Sequence, residues 1–503
     1  MSSNAKASTR SADVRARVGH PIIDSDGHVV EFEPALLDYI RDVGGSQILE
    51  RYKTAFDTAF YFRWNHITPA ERREFRVPRP VFWPYPAKNT LDRATAALPR
   101  LLHQRLDEMG LDFTILNPSQ GLFAPHIGDD ELRRVVCRAF NNYHADIFRE
   151  YADRITPAAC VPMNTPAEAI EELEHIAGLG LKVAMMAAFV RRPIPGLAKQ
   201  APEMARYLSW MDNLCLDSEY DYDPVWAKCV ELKITPTFHS FGLNWGSRIS
   251  ISNFMYNQIG HFAAAADAIC KALFLGGVTR RFPTLKFGFK EGGVGWAVSL
   301  YCALYERWHK RNLRTLDNVN PARLDLELYR DLCRKYGDKF TAGRLDGNLT
   351  LSELESGGGG DPSEWDEWRH CGIERASDVY DRFVPHFFFG CEGDDRVTSW
   401  AFDARRNPHG ARLNAIYGSD LGHYDLTDMR DAAVEAYENV EHGLMTEEDF
   451  RDFVFVNPIK LHCGMNPDFF KGTVVESEAK KVMADLARTH SDRKDGAVTA
   501  TAD

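Results

Sequence analysis

Asp24, Asp26 and His28 occupy alternate positions in the stretch PIIDSDGHVVE, Pro21 to Glu31. On an extended backbone, side chains two apart point to one face. If the apolar strand opened by Ile22 and Ile23 runs through His28, two carboxylates and an imidazole share one side. Together these donors suit a divalent cation of the zinc, manganese or iron type. The same donor types recur just after other apolar runs. His239 closes ITPTFHS, Glu291 closes TLKFGFKE ahead of Gly292 and Gly293, and Asp420 closes RLNAIYGSD with His423 just beyond. His261 opens the helical stretch HFAAAADAICKALFLGG, and HFFFGCEGDD ends in Cys391, Glu392, Asp394 and Asp395.

These donors are far apart in sequence, so the fold must bring them together. After the opening strand come apolar strands at 112–119, 154–163, 181–190, 234–240, 286–291, 386–395 and 412–420, separated by amphipathic helical stretches. Such alternation implies a parallel sheet. About eight repeats favour a closed barrel over an open sheet. No GxGxxG follows the first strand, which removes the main sign of a dinucleotide-binding open sheet. The expected fold is therefore α/β, a (β/α)8 TIM-type barrel with long insertions. Barrel chemistry collects at the C-terminal ends of strands, where these donors fall. Asp26, His28, His239 and Asp420 would hold one ion. His261, Glu291 and His423 would support that site or hold a second ion. Glu291, Asp420 and His423 are the expected proton-transfer groups.

Other polar residues have plainer readings. Asp24 is expected to bind backbone amides, and Asp394 and Asp395 to cap the next helix. Trp296 is expected to pack helix against barrel. His66, His126 and His144 read as structural or surface groups, with His66 alternatively facing substrate from a lid. Glu392 is either an ion-pair partner or a catalyst.

The chain has 503 residues, 44% hydrophobic and 26% charged, which fits an ordinary globular protein. Its net charge of -12 argues against nucleic acid as a partner. The 10 cysteines form no CxxC pair, which argues against a zinc ribbon and for free thiols in a reducing cytoplasm. Residues 1–19 read as a disordered tail without a secretory h-region. No apolar run approaches the ~18 residues of a membrane span. The barrel is expected over 20–473, with insertions at 57–90, 191–222 and 313–385, followed by a polar tail at 474–503. The aromatic-rich insertion at 57–90 suggests a lid or an interface pad. The SGGGGDP stretch at 356–362 reads as a linker.

The motifs IIDSDGHVVE (22–31), PTFHS (236–240), GGVTRRFPTLKFGFKEGGVGW (276–296), YGSDLGHYD (417–425) and TEEDFRDFVFVNPIKL (446–461) resemble the amidohydrolase superfamily. The resemblance is to its amidohydrolase-related group, which includes aminocarboxymuconate-semialdehyde decarboxylase and the resorcylate-type decarboxylases. It implies a metal at the strand ends of a (β/α)8 barrel. The family's first-strand HxH falls on Asp26-Gly27-His28, so an aspartate takes the first ligand position. His239 matches the fifth-strand ligand and Asp420 the eighth. Glu291 stands where the related decarboxylases often have a histidine. Both departures replace nitrogen by oxygen donors, which favours manganese or iron.

The expected activity is metal-assisted hydrolysis or non-oxidative decarboxylation of a small carboxylate or aromatic acid. One alternative is oxygen-dependent hydroxylation of a small molecule by two irons, or iron with manganese, as in hydroxylases of this superfamily. Another is a non-catalytic barrel subunit of a hetero-oligomer. The resemblance also implies a homodimer or a pairing with a homologous chain.

Overall fold

The structure is a computed structural model, which describes residues 8–58, 64–81, 84–204, 208–341, 344 and 365–498, side chains at 56–58 and 489–498 excepted. Its strands in chain order are β1 (Ile23–Val29), β2 (Phe113–Pro118), β3 (Ile155–Val161), β4 (Val183–Met186), β5 (Val190–Pro193), β6 (Ser209–Asp212), β7 (Thr235–Phe238), β8 (Phe287–Phe289), β9 (Phe387–Glu392) and β10 (Asn414–Gly418). β1, β2, β3, β4, β7, β8, β9 and β10 form an eight-stranded parallel sheet in that order. The barrel strands are buried along nearly their whole length rather than on alternate residues, because helices cover the outer face and side chains fill the centre. Phe238, Phe289 and Phe389 stack in sequence across β7, β8 and β9, with ring centroids 5.7 Å apart at each step.

The sheet closes on itself. Beyond the ends of the regular ladder, Asp420 N donates to Asp26 O at 2.9 Å and His28 N donates to Leu421 O at 2.8 Å. Glycine permits this closure at Gly418, where an added Cβ would lie 2.6 Å from the Asp26 Cβ. The fold is the (β/α)8 barrel that the strand–helix alternation implies. Several barrel helices start where the chain supplies a cap. Thr165 accepts from Glu168 N while Glu168 accepts from Thr165 N, a reciprocal box that opens helix Pro166–Gly178. Asp129 caps helix Asp130–Phe148 in the simpler way.

Three sequence expectations need correction. The supposed disordered tail contains helix Arg10–Val18, capped by Thr9. Ser11 and Val14 are buried, and Arg15 pairs with Asp112. A single buried valine in a polar segment leaves too weak a periodic signal to be read alone. The C-terminal tail likewise forms helix Glu476–Val498, whose Ala479 and Val482 pack on the core beside Val475. The insertion at 191–222, which reads in the sequence as irregular, contains regular structure. β5 and β6 pair antiparallel, held by a buried Arg192–Asp212 ion pair. The 313–385 insertion is partly helical, with helices Leu326–Tyr336 and Ala376–Phe383. Its SGGGGDP stretch lies outside the described residues, as do Phe60, Tyr61, Phe62, Phe82 and Trp83 of the 57–90 insertion.

Candidate metal centre

The C-terminal ends of β1, β7, β8 and β10 bring six donor side chains together. One group is Asp26, His28 and His239; the other is His28, Glu291, Asp420 and His423; the ligand atoms within each group all lie within 4.8 Å of one another. Nε2 of His28 and Nε2 of His239 are 3.2 Å apart. Asp420 Oδ1 is 3.3 Å from His28 Nε2, and Glu291 Oε2 is 3.2 Å from His239 Nε2. Nδ1 of His423 sits 3.0 Å from Asp420 Oδ1, and its ring stacks on His28 with centroids 3.7 Å apart.

Local backbone geometry turns the acids inward. Glu291 (φ 53°) and Asp420 (φ 49°) both occupy the left-handed region at the second residue after their strands. Such conformations cost of order 1–3 kcal/mol for non-glycine residues and persist where surrounding structure holds them. The β1–β2 register shifts between Asp24 and Gly27, so strict alternation fails inside β1. Asp24 instead binds Thr114 Oγ1, Ser419 Oγ and the amides of Asp26 and Ser419, which occupies both its oxygens. It is thus an amide-binding strut, as its plainer reading holds. Asp26 points to the donors and accepts from Asn117 Nδ2 at 2.6 Å.

Burial dominates the electrostatics. It lowers the pKa of His239 to about 4 and of His423 to about 3, and holds His28 well below its ordinary value with help from the neighbouring imidazoles. All three rings are therefore neutral at physiological pH, the form that binds a cation. Burial, then carboxylate repulsion, raises Glu291 and Asp420 well above the ordinary carboxylate range. Asp26 and Asp425 repel Glu291, while Glu291, Asp425 and Glu392 repel Asp420. Both Asp420 oxygens and Glu291 Oε2 are buried without a well-aligned hydrogen bond among the described residues, the nearest groups to Asp420 being His423 Nδ1 at 3.0 Å and the Asp425 carboxyl. Orphaned acceptors in such a place are costly. A cation beside them would remove that cost, so the donor set fits a divalent ion.

His261 stands apart from both groups. Its ring packs on Phe262 at 3.9 Å and faces a cavity beside the centre, and burial lowers its pKa to about 3. His126 bonds Ser240 Oγ at 3.2 Å, and His144 is buried 3.6 Å from Glu31. His66 is exposed and does not line that cavity. Trp296 packs edge-on against Phe289 and Phe389. Asp395 caps a short 3-10 turn by accepting from Val397 N. Glu392 lies with Asp395 and Asp425 in a smaller acidic cavity and has no cationic partner within ion-pair distance among the described residues.

Sequence reasoning missed Asn117, Ser119 and Lys290. Ser119 Oγ is 2.9 Å from His423 Nε2. Lys290 is only 1% exposed, and its ammonium donates to the Ser25 carbonyl on β1. The barrel rule could have found all three. Asn117 and Ser119 fall at the end of β2, and Lys290 is a lone cation ending an apolar run.

The family profile described as Amidohydrolase matches residues 24–344, well over half of the chain. The chain belongs to the amidohydrolase family. Among solved structures, an amidohydrolase from Mycobacterium avium subsp. paratuberculosis K-10 is 17% identical with a TM-score of 0.50, covering 88% of this chain and 98% of that one. A dihydroxybenzoic acid decarboxylase from Polaromonas sp. JS666, with bound manganese and 2-nitroresorcinol, is 14% identical with a TM-score of 0.46, covering 88% and 97%. A 5-carboxyvanillate decarboxylase from Novosphingobium aromaticivorans DSM 12444, with bound manganese, is 13% identical with a TM-score of 0.45, covering 89% and 98%. No curated protein matches the chain. No described helix is long and apolar enough to cross a membrane.

Proposed function

We propose that this protein is a metal-dependent hydrolase or carboxy-lyase acting on a small carboxylic acid. The observation that carries this reading is the set of orphaned carboxylate oxygens beside neutral imidazoles at the barrel's strand ends. Asp26, His28, His239 and Asp420 would hold the ion. When bound, it supplies Lewis-acid polarisation of the substrate's carboxyl or carbonyl group. Manganese or iron suits the oxygen-rich set better than zinc.

The remaining steps belong to the chain's own groups. Glu291 is the proton carrier, because it stands among the donors and also borders the adjoining cavity. In decarboxylation the proton must reach the carbon that loses carbon dioxide; in hydrolysis it must reach the leaving nitrogen. His423, held between Asp420 and Ser119, would fix the position of the Asp420 carboxylate.

A second reading is favoured by one observation. The six donors fall into two overlapping groups sharing His28, more than one four-coordinate ion requires. Two irons, or iron with manganese, would then support oxygen-dependent hydroxylation. Metal counting with an oxygen electrode separates the two. About one ion per chain and no substrate-dependent oxygen uptake supports the first reading; two ions with uptake supports the second. A folded chain that takes up no metal would leave the non-catalytic subunit.

All ten cysteines are free, which supports a reducing cytoplasm. Exposed Leu328, Tyr329, Leu332 and Tyr336 on helix Leu326–Tyr336 support pairing with a second copy or a homologous chain. Size measurement in solution tests it.

A further inference from the structure

Beside the metal centre lies a cavity of ≈ 650 Å³. At one side it reaches Glu291, His423 and Asp425. Its remaining lining is largely hydrocarbon and aromatic: Leu122, Ile127, Phe140, Phe241 and Phe254 contribute, together with Val136. No lysine or arginine lines it among the described residues.

A cavity of roughly 150 Å³ suffices for one benzene ring. The present volume is therefore several times what a single-ring acid fills, and it lies within the range of sites that enclose drug-sized ligands. The charge pattern restricts the occupant further. An anionic group far from the centre would be desolvated against aromatic walls with no cation among the described residues to pair it, which is costly. An apolar body gains from the same walls, at roughly 25 cal/mol for each Å² removed from water.

We propose that the substrate is an extended apolar monocarboxylic acid. Its body is several fused rings or a chain of comparable volume, and its one carboxyl group faces the metal centre. This rests on the reading of the centre given above. The body fills the space between helix Asp130–Phe148, the segment Gly121–Ile127 and Phe241 and Phe254. The carboxyl group is the only charged part, because among the described residues the rest of the cavity wall offers an anion no cation. Single-ring acids leave most of the cavity to water.

Calorimetric titration of the manganese-loaded protein tests this with benzoate, 9-anthracenecarboxylate, dodecanoate and dodecanol. The two extended acids are expected to bind at least about 100-fold tighter than benzoate, with a more negative heat-capacity change. Removing manganese should abolish the advantage of dodecanoate over dodecanol. Benzoate binding as tightly as the extended acids would overturn the proposal while leaving the metal-anchored acid reading intact. Dodecanoate and dodecanol binding alike, with or without manganese, would overturn the carboxyl assignment and the reading of the centre, leaving the apolar body alone.

Discussion

Nε2 of His28 faces Nε2 of His239 across 3.2 Å inside the barrel, with Asp26 Oδ1 3.9 Å from the first and 3.7 Å from the second. Two neutral imidazoles in this position can share one proton between them, or both can turn a lone pair to one cation. The orphaned oxygens of Asp420 and Glu291 nearby favour the cation. Chelation should therefore destabilise the protein. A ligand held at 100 times its Kd stabilises a fold by about 2.7 kcal/mol, so the melting temperature should fall by several degrees after metal removal. His28→Ala should melt at the same temperature before and after chelator. A wild-type melt indifferent to chelator would count against a resident ion.

The titration of the centre fixes the direction of its pH dependence. The folded-state pKa of His239 is lowered to about 4. Without metal, its contribution to stability is fully present above the unfolded value of about 6.5 and is lost as pH falls toward 4. Glu291 and Asp420 are raised, so their contribution is present at low pH and lost as pH rises through their folded values. Metal requires both sets deprotonated. The stabilisation added by manganese should therefore grow over the pH interval in which Glu291 and Asp420, both raised in the folded state, lose their protons. Melting curves with and without metal at each pH measure it; a gain that shrinks over that interval contradicts the assignment.

Glu291→Gln keeps an oxygen donor and removes the transferable proton. With the centre saturated by metal, turnover should fall by about 10²–10⁴. Equal turnover in wild type and variant would remove Glu291 from proton transfer.

Ser119 holds His423 from the side opposite Asp420, at 2.9 Å from Nε2. Outer hydrogen bonds of this kind typically contribute 10–100-fold to metal affinity or activity. Ser119→Ala should lose that much and Ser119→Thr should recover most of it. An Ala variant with unchanged metal affinity and turnover would make the contact incidental.

Gly418→Ala would push a methyl group to 2.6 Å from the Asp26 Cβ. Overpacking of this sort costs typically 1–3 kcal/mol, and here it also displaces a donor. Denaturant unfolding should register the loss of stability, and metal titration a weaker affinity. Unchanged values in both would mean that β10 and β1 are less closely apposed.

The barrel was legible because its strands are apolar runs between amphipathic helices, and because the strand-end rule needs only residue type and position. That rule also picked out Asp26, His28, His239, Glu291, Asp420 and His423, which the fold brings together. His261 stands at a helix start rather than a strand end, after a left-handed Gly260, and its ring faces the cavity instead. Asp24 shares the alternation with Asp26, but it binds backbone amides as its plainer reading expects, and the irregular register of β1 separates the two. Ser119 and Lys290 lie at strand ends where the rule applies, but serine and lysine are not the metal-donor types for which those ends were read. The terminal helices escaped because few of their residues are buried.

The most direct measurement is elemental analysis of the natively purified protein beside its His239→Ala and His261→Ala variants. The account predicts at least one manganese or iron per wild-type chain, a large loss in His239→Ala, and wild-type content in His261→Ala. Folded wild-type protein without bound metal, or undiminished metal in His239→Ala, would contradict it.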